Sequence, residues 1–321
     1  MRRTTLALIC AAAATPAAAR EPLLTLPVDC TLGADCFIQN YVDADPGPGH
    51  ADFTCGPLSY DGHKGTDFAV PSLAAMQAGV VVRPAANGTV IGVRDGMPDT
   101  GPDASGGIDG RECGNGVVIR HGAGWESQYC HLREGSVAVE IGQRVNLSTE
   151  LGKIGLSGNT DFPHLHMSLR KDGETVDPFA PDGRADCAEA PTRTLWLDAP
   201  DYVPGGILDT GFADAIPDYD RIKAGSAATD RLAPDAPALV LWGYLFGGRA
   251  GDTVRLVVEG PSGAVLDETV TLDKTQAQLF RAIGRRLPDD GWTPGSYTGT
   301  VIHSRGDTRL DAAATAVTVA R

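Results

Sequence analysis

The sequence predicts a mainly β (all-β) protein: an antiparallel β-sheet over residues 56–180, followed by a second, β-sandwich-like domain over 236–321. Three observations carry this. Short β-type runs alternate with glycine turns from His63 onward, too closely spaced for crossover helices. Forty glycines and 22 prolines punctuate the chain. No 3.6-residue apolar period persists over the length of an ordinary helix.

Taken in order, residues 1–19 read as a secretory signal peptide: Arg2 and Arg3, an apolar stretch from Leu6 to Ala14, then Pro16 and the small-residue site Ala17-Ala18-Ala19. Cys10 raises a lipoprotein signal as the rival, but Ile9 before it is bulkier than such processing prefers. No later run is long and apolar enough to span a bilayer. Residues 20–55 are an irregular segment containing the loop signature DADPGPGH. The β runs VVVRP, GTVIGV, NGVVIRH, WESQYCHL, GQRVN and PHLHMSL follow, with one short helix expected near Pro71–Gln77.

Between Arg94 and Cys113 lies a turn-rich insertion carrying Asp95, Asp99, Asp103 and Asp109. These aspartates match no calcium-loop spacing, so a solvated loop is expected. Residues 181–235 are rich in Pro, Asp, Ala and Gly and read as a linker with at most one small element. From Ala236 the runs ALVLWGYLF, DTVRLVVEG, AVLDETVTL, GSYTGTVIHS and AATAVTVA build the C-terminal domain. It holds no catalytic constellation, and its one histidine, His303, is expected to be structural.

The formal net charge of −14 becomes more negative once the two arginines of the signal are removed. Such a surface repels nucleic acid and anionic membranes, which are therefore not expected partners. Without Cys10, six cysteines remain: Cys30, Cys36, Cys55, Cys113, Cys130 and Cys187. An even number in an exported chain suggests disulfides, with free buried thiols as the alternative. Cys113 and Cys130 flank an expected hairpin, which makes them the one pair that sequence alone suggests.

Strand parity then places the chemistry. Residues two apart in an extended chain face the same way. In PHLHMSL this puts His164, His166 and Ser168 on one face, with Leu165, Met167 and Leu169 on the other, toward the core. In HKGTD, His63, Gly65 and Asp67 share a face, and the glycine leaves room between imidazole and carboxylate. In WESQYCHL, His131 is expected to share a face with Tyr129 and Ser127, while Cys130 and Leu132 turn inward. His50, in the proline-glycine loop, and His121, near a hairpin turn, read as structural. Two imidazoles and a carboxylate are a zinc donor set that leaves a position open for water. Two further histidines beside it can move protons and steady an oxyanion. This is the parts list of a metal-dependent amide hydrolase.

The ordered set HKGTD, GNGVVIRHG, YCHL, GQRV, GLSGNT, PHLH and VDPF resembles the lysostaphin-type (LytM-type) zinc metallopeptidases, which cut peptidoglycan cross-links. The resemblance covers residues 56–180 and implies an antiparallel β-sheet forming a groove with one zinc at its floor. It implies that His63, Asp67 and His166 are metal ligands, and that His131 and His164 are the catalytic pair. It implies an exported, periplasmic or extracellular bacterial enzyme, expected as a monomer. Four departures from the family pattern bear on substrate preference: TDFPHLH in place of a small-residue turn such as STGPHLH, Met167 where an aromatic is usual, the 94–113 insertion, and the cysteines. Two other readings stand beside it: a protease of glycine-rich proteins, and a metal-free regulator that activates a cell-wall amidase. Some family members are latent precursors in which an N-terminal segment supplies an extra ligand. Asn40 and Asp52 are the candidates here, and the sequence selects neither.

Overall fold

The structure of the protein, a computed structural model, describes residues 21–101, 110–183, 187 and 189–320. The expected signal segment 1–19, and Asp103 and Asp109 of the insertion, lie outside the described residues. No helix among the described residues is long and apolar enough to cross a membrane.

The first unit is built from β1 (Phe37–Asn40), β2 (Thr66–Ala69), α1 (Leu73–Ala78), β3 (Val81–Val82), β4 (Gly88–Arg94), β5 (Asn115–Gly122), β6 (Trp125–Leu132), β7 (Arg144–Val145), β8 (Gly152–Lys153), β9 (His164–Lys171) and β10 (Glu174–Thr175). An antiparallel sheet runs in the order β1-β2-β9-β6-β5-β4-β7, with β10 folded back on β9, and β3 pairs with β8 apart from it. The alternation in β9 does what the pattern requires: Leu165, Met167 and Leu169 are buried in the core with Phe68 of β2 and Ile119 of β5. The short helix α1 falls where it was expected. The Ser72 hydroxyl caps its N-terminus by accepting from Ala75 N–H, and Gly79 at φ 92° ends it.

Several strands lie outside the segments read as strands from sequence, among them the short β8 and β10 and the long strand Gln276–Arg286, and two of them matter most here. β1 (FIQN) sits within the stretch 20–55 expected to be irregular; all four residues are buried, and Phe37, Ile38 and Asn40 pair with β2. Four residues between a disulfide turn and a proline-glycine loop are too few to show a period. The second is β11 (Gly206–Ala213), in the expected linker, which pairs along β13 (Ala238–Gly248). Its sequence, GILDTGFA, carries two glycines and an aspartate, so cross-strand pairing decides its conformation against its propensity.

β11 and β13 form a three-stranded sheet with β16 (Gln276–Arg286). A five-stranded sheet joins β12 (Arg231–Leu232), β18 (Thr308–Val319), β17 (Gly295–Arg305), β14 (Thr253–Gly260) and β15 (Gly263–Thr271) in that order. Both sheets feed one core, with Leu241, Leu245 and Leu279 from the first meeting Leu256, Val301 and Val317 from the second. A short helix, α2 (Tyr219–Ala224), lies against this unit through Ile222, which packs with Trp242. His303 is structural here: it is fully buried and its Nε2 meets Asp252, which Arg305 also grips through two nitrogens. The two units touch at β1, where the Phe37 and Phe246 rings stand 4.7 Å apart and Gln278 Nε2 donates to Gln39 Oε1 at 2.9 Å.

Three disulfides are formed: Cys113–Cys130, as the sequence suggested, with Cys30–Cys36 and Cys55–Cys187. The described ends of the insertion are anchored. Asp95 accepts from the backbone N–H of Gly135 and Val137, and Asp99 from Glu134 and Leu156. The buried Asn115 side chain accepts from Met97 N–H and donates to the carbonyls of Met97 and Leu132. Asp52 is consumed structurally: it accepts from the N–H groups of Thr54, Gly56 and Leu58 and from the hydroxyls of Thr54 and Tyr202.

Asp177, near the end of this unit, is pushed up to about 7, first by burial and further by the charge of Asp52, against two backbone N–H bonds that pull it down. Its Oδ2 is buried without a hydrogen-bond partner among the described residues. A carboxyl raised in the folded state stabilises the fold below its unfolded value of about 4, and that contribution is lost as pH rises through the folded value. Urea denaturation should therefore carry a downward component from Asp177 between about pH 4 and 7. Asp177→Asn should flatten that slope; an unchanged slope in the variant would assign it to other groups.

Candidate metal centre

The centre is organised by the register between β2 and β9. Asp67 lies directly opposite His166, and Ala69 opposite His164. Directly opposed residues on antiparallel strands project to the same face, so a carboxylate and an imidazole 99 residues apart in sequence are brought together. His164, two residues from His166 on β9, shares that face. His63 precedes β2, in the turn that follows Gly62 at φ 73°. Asp43 Oδ2 holds this turn by accepting from Gly62 N–H.

The donor atoms converge on Asp67 Oδ1, which lies 2.9 Å from His166 Nδ1, 3.2 Å from His63 Nε2 and 3.4 Å from His164 Nε2. His63 Nε2 and His166 Nδ1 are 3.1 Å apart. His63, Asp67 and His166 each offer an atom within 4.8 Å of the others, so these three residues could hold a metal ion. Gly65 makes room for this, though not as parity suggested. The space where its Cβ would stand is filled by the His166 ring, with Cε1 at 2.6 Å from that position and the Met167 carbonyl at 2.8 Å.

His131 and His164 stand beside the three, their ring centroids 4.7 Å apart, and His131 is 6.0 Å from His166. His131 Nδ1 meets the Ser157 carbonyl at 2.8 Å, and His164 Nδ1 meets the Phe162 carbonyl at 3.0 Å and Thr160 Oγ1 at 3.1 Å. A carbonyl only accepts, so each Nδ1 carries a proton and Nε2 is the nitrogen left to act. The parity expected for β6 fails. Ser127 and Tyr129 are fully buried, Tyr129 lies in the core, and its hydroxyl accepts from Ala85 N–H and from Ser127 Oγ. His131 escapes that side because its backbone takes φ 61°, a left-handed conformation that breaks the alternation at the end of the strand.

The electrostatics follow from burial. Burial alone would raise Asp67, but His63, His164 and the imidazole hydrogen bonds outweigh it and hold the carboxyl well below its usual range. Burial alone would lower His63, yet the Asp67 charge and hydrogen bond raise it. Burial dominates at His166 and lowers it despite Asp67. His131 is lowered well below the usual range, by burial first and then by its imidazole neighbours.

Asn40, named from sequence as a candidate extra ligand, instead donates from Nδ2 to Asp67 Oδ2 at 3.0 Å. Three further contributors escaped the sequence reading. Thr160 meets His164, as above. The Phe162 ring stacks on His164 at 4.4 Å, and packs from its other side with Phe37, Ala69 and Phe246. Tyr60 is 51% exposed with its ring 4.4 Å from that of His63. The aromatic in TDFPHLH was the one available signal. His50 and His121 stay outside; His121 bonds the Asn87 carbonyl and Ser127.

An antiparallel β unit presents a largely buried His-Asp-His donor group. Residues 61–178 match Peptidase family M23, a LytM-type domain match. Among known proteins, the chain is 33% identical over 115 residues to the peptidoglycan DD-endopeptidase ShyA of Vibrio cholerae; the match covers 36% of this chain and 22% of that protein. It is 33% identical over 118 residues to the DD-carboxypeptidase/endopeptidase Mpg of Neisseria meningitidis, covering 37% and 22%. A solved zinc-containing peptidase from Vibrio cholerae aligns with a TM-score of 0.34 at 26% identity, over 49% of this chain and 39% of that one. The family and the names of these relatives support a peptidase.

Gly65→Ala tests the packing of the centre. A methyl there meets the His166 ring and a backbone oxygen, so the variant should lose about 1–3 kcal/mol of stability and shift the His166 ring resonances. A melting temperature and ring resonances equal to those of the wild type would overturn the packing.

Proposed function

We propose that this chain is an exported zinc metalloendopeptidase that hydrolyses peptide bonds in peptidoglycan cross-links. The observation that carries the reading is the convergence of His63, Asp67 and His166 on a common point, with His131 and His164 beside them. The donor set suits zinc, which takes imidazole nitrogen and carboxylate oxygen. When bound, zinc would supply a Lewis acid that acidifies water and polarises the scissile carbonyl. His63, Asp67 and His166 would hold it.

The remaining chemistry is assigned to this chain's own side chains. His131 and His164 have Nε2 left to act because Ser157 and Phe162 take their Nδ1 protons. One imidazole takes the proton of the attacking water and returns it to the leaving amine. While it carries that proton, the ring also stabilises the oxyanion that develops on the substrate, and the second ring stands 4.7 Å from it. Phe162 and Thr160 fix the His164 ring, so little orientation is lost at each turnover. The assignment to peptidoglycan rests on the family and on the named relatives, and export on the N-terminal segment.

Metal analysis of the purified protein should find about one zinc per chain, lost in His166→Ala. Zinc-free wild-type protein would sink the enzyme reading and favour a regulatory one. His131→Ala and His164→Ala should keep the metal and lower turnover about 10²–10⁴-fold. In a digest of purified peptidoglycan, mass spectrometry should show cleaved cross-links. Intact cross-links together with a cleaved glycine-rich protein would overturn the substrate.

A further inference from the structure

We infer that residues 40 and 41, upstream of the family-matched region, are positioning residues of the metal centre: the Asn40 side chain aims Asp67, and the Tyr41 carbonyl aims His63. The inference rests on the metal site proposed above.

The two oxygens of Asp67 have divided surroundings. Oδ1 faces three imidazoles. Oδ2 faces Asn40 Nδ2 at 3.0 Å, with Asn40 only 8% exposed and Asp67 2%. A buried carboxylate oxygen without a donor carries a large desolvation penalty, and the amide supplies that donor. It also fixes the carboxylate plane, so that Oδ1 rather than Oδ2 points to the other donors. One residue on, the Tyr41 carbonyl lies 2.7 Å from His63 Nδ1. Because that carbonyl only accepts, it fixes a proton on Nδ1 and turns Nε2 toward the centre. Partners behind metal ligands commonly tune affinity by about 10–100-fold.

The backbone is built to deliver both contacts. Asn40 pairs with Asp67 in the β1–β2 ladder, and the register shifts between Ile38 and Asn40. Tyr41 N–H then donates to the Leu58 carbonyl, and Ser59 Oγ donates to the Tyr41 carbonyl that also receives His63. The Tyr41 ring, 1% exposed, is fixed among Phe53, Phe179 and Tyr202. Residues 40–41 are thus held on both sides, as an orienting element must be.

The test uses zinc alone, with affinity read by chelator competition on the full mature chain. Asn40→Leu keeps the volume and removes the donor; its zinc Kd should rise about 10–100-fold. Gln39→Ala, one residue away with its side chain toward Gln278 and Ala277, should leave the Kd within about twofold and controls for damage to β1. Asn40→Ser, which keeps a donor on a shorter arm, should fall between Asn40→Leu and the wild type, and replaces Asn40→Leu if that variant does not fold. Wild-type affinity in both Asn40 variants, or equal weakening in Gln39→Ala, would overturn the inference alone. A wild-type protein that binds no zinc would overturn the metal site and this inference with it.

Discussion

A buried carboxylate must have both its oxygens compensated, and much of this centre follows from meeting that demand at Asp67. Its negative charge sits at 2% exposure among three imidazoles, with an amide behind it. Removing any one partner leaves charge uncompensated in a low-dielectric interior, where such losses are largest. The register of β2 against β9, the glycine before β2 and the edge position of β1 all serve this constraint. A one-residue slip of β9 would replace His166 with a core leucine or methionine, so the hydrophobic face and the polar face specify the same register.

What the sequence made legible was what local rules control. His164 and His166 share a face because β9 alternates cleanly, and Leu165, Met167 and Leu169 prove the phase from the core side. The Cys113–Cys130 bridge was legible because both residues flank one hairpin. The same rule misplaced Tyr129 and Ser127, because a left-handed backbone at His131 interrupts the alternation and no residue type announces it. β1 and β11 were illegible for a different reason: each is made a strand by a partner far away in the chain, β2 for one and β13 for the other. Asn40 could be singled out from sequence as a candidate donor to a metal, yet its actual partner, Asp67, is visible only once β1 is paired.

The C-terminal unit is more than an appendage to the centre. Phe246 and Leu208 from its first sheet close over Phe37, Ala69 and Phe162, and Phe162 in turn stacks on His164. A small apolar cluster between the two units thus reaches an imidazole of the centre through Phe162. A small residue at position 162, usual in the family pattern, would leave that contact unmade.

The Cys55–Cys187 bridge joins residues 132 apart and brackets almost the whole M23 domain. Any single backbone break between those two cysteines leaves both pieces on one covalent molecule, still held by the sheet they share. The described ends of the 94–113 insertion are further pinned by Cys113–Cys130 and by the amides that Asp95 and Asp99 hold. A nick in this domain therefore does not by itself set either piece free.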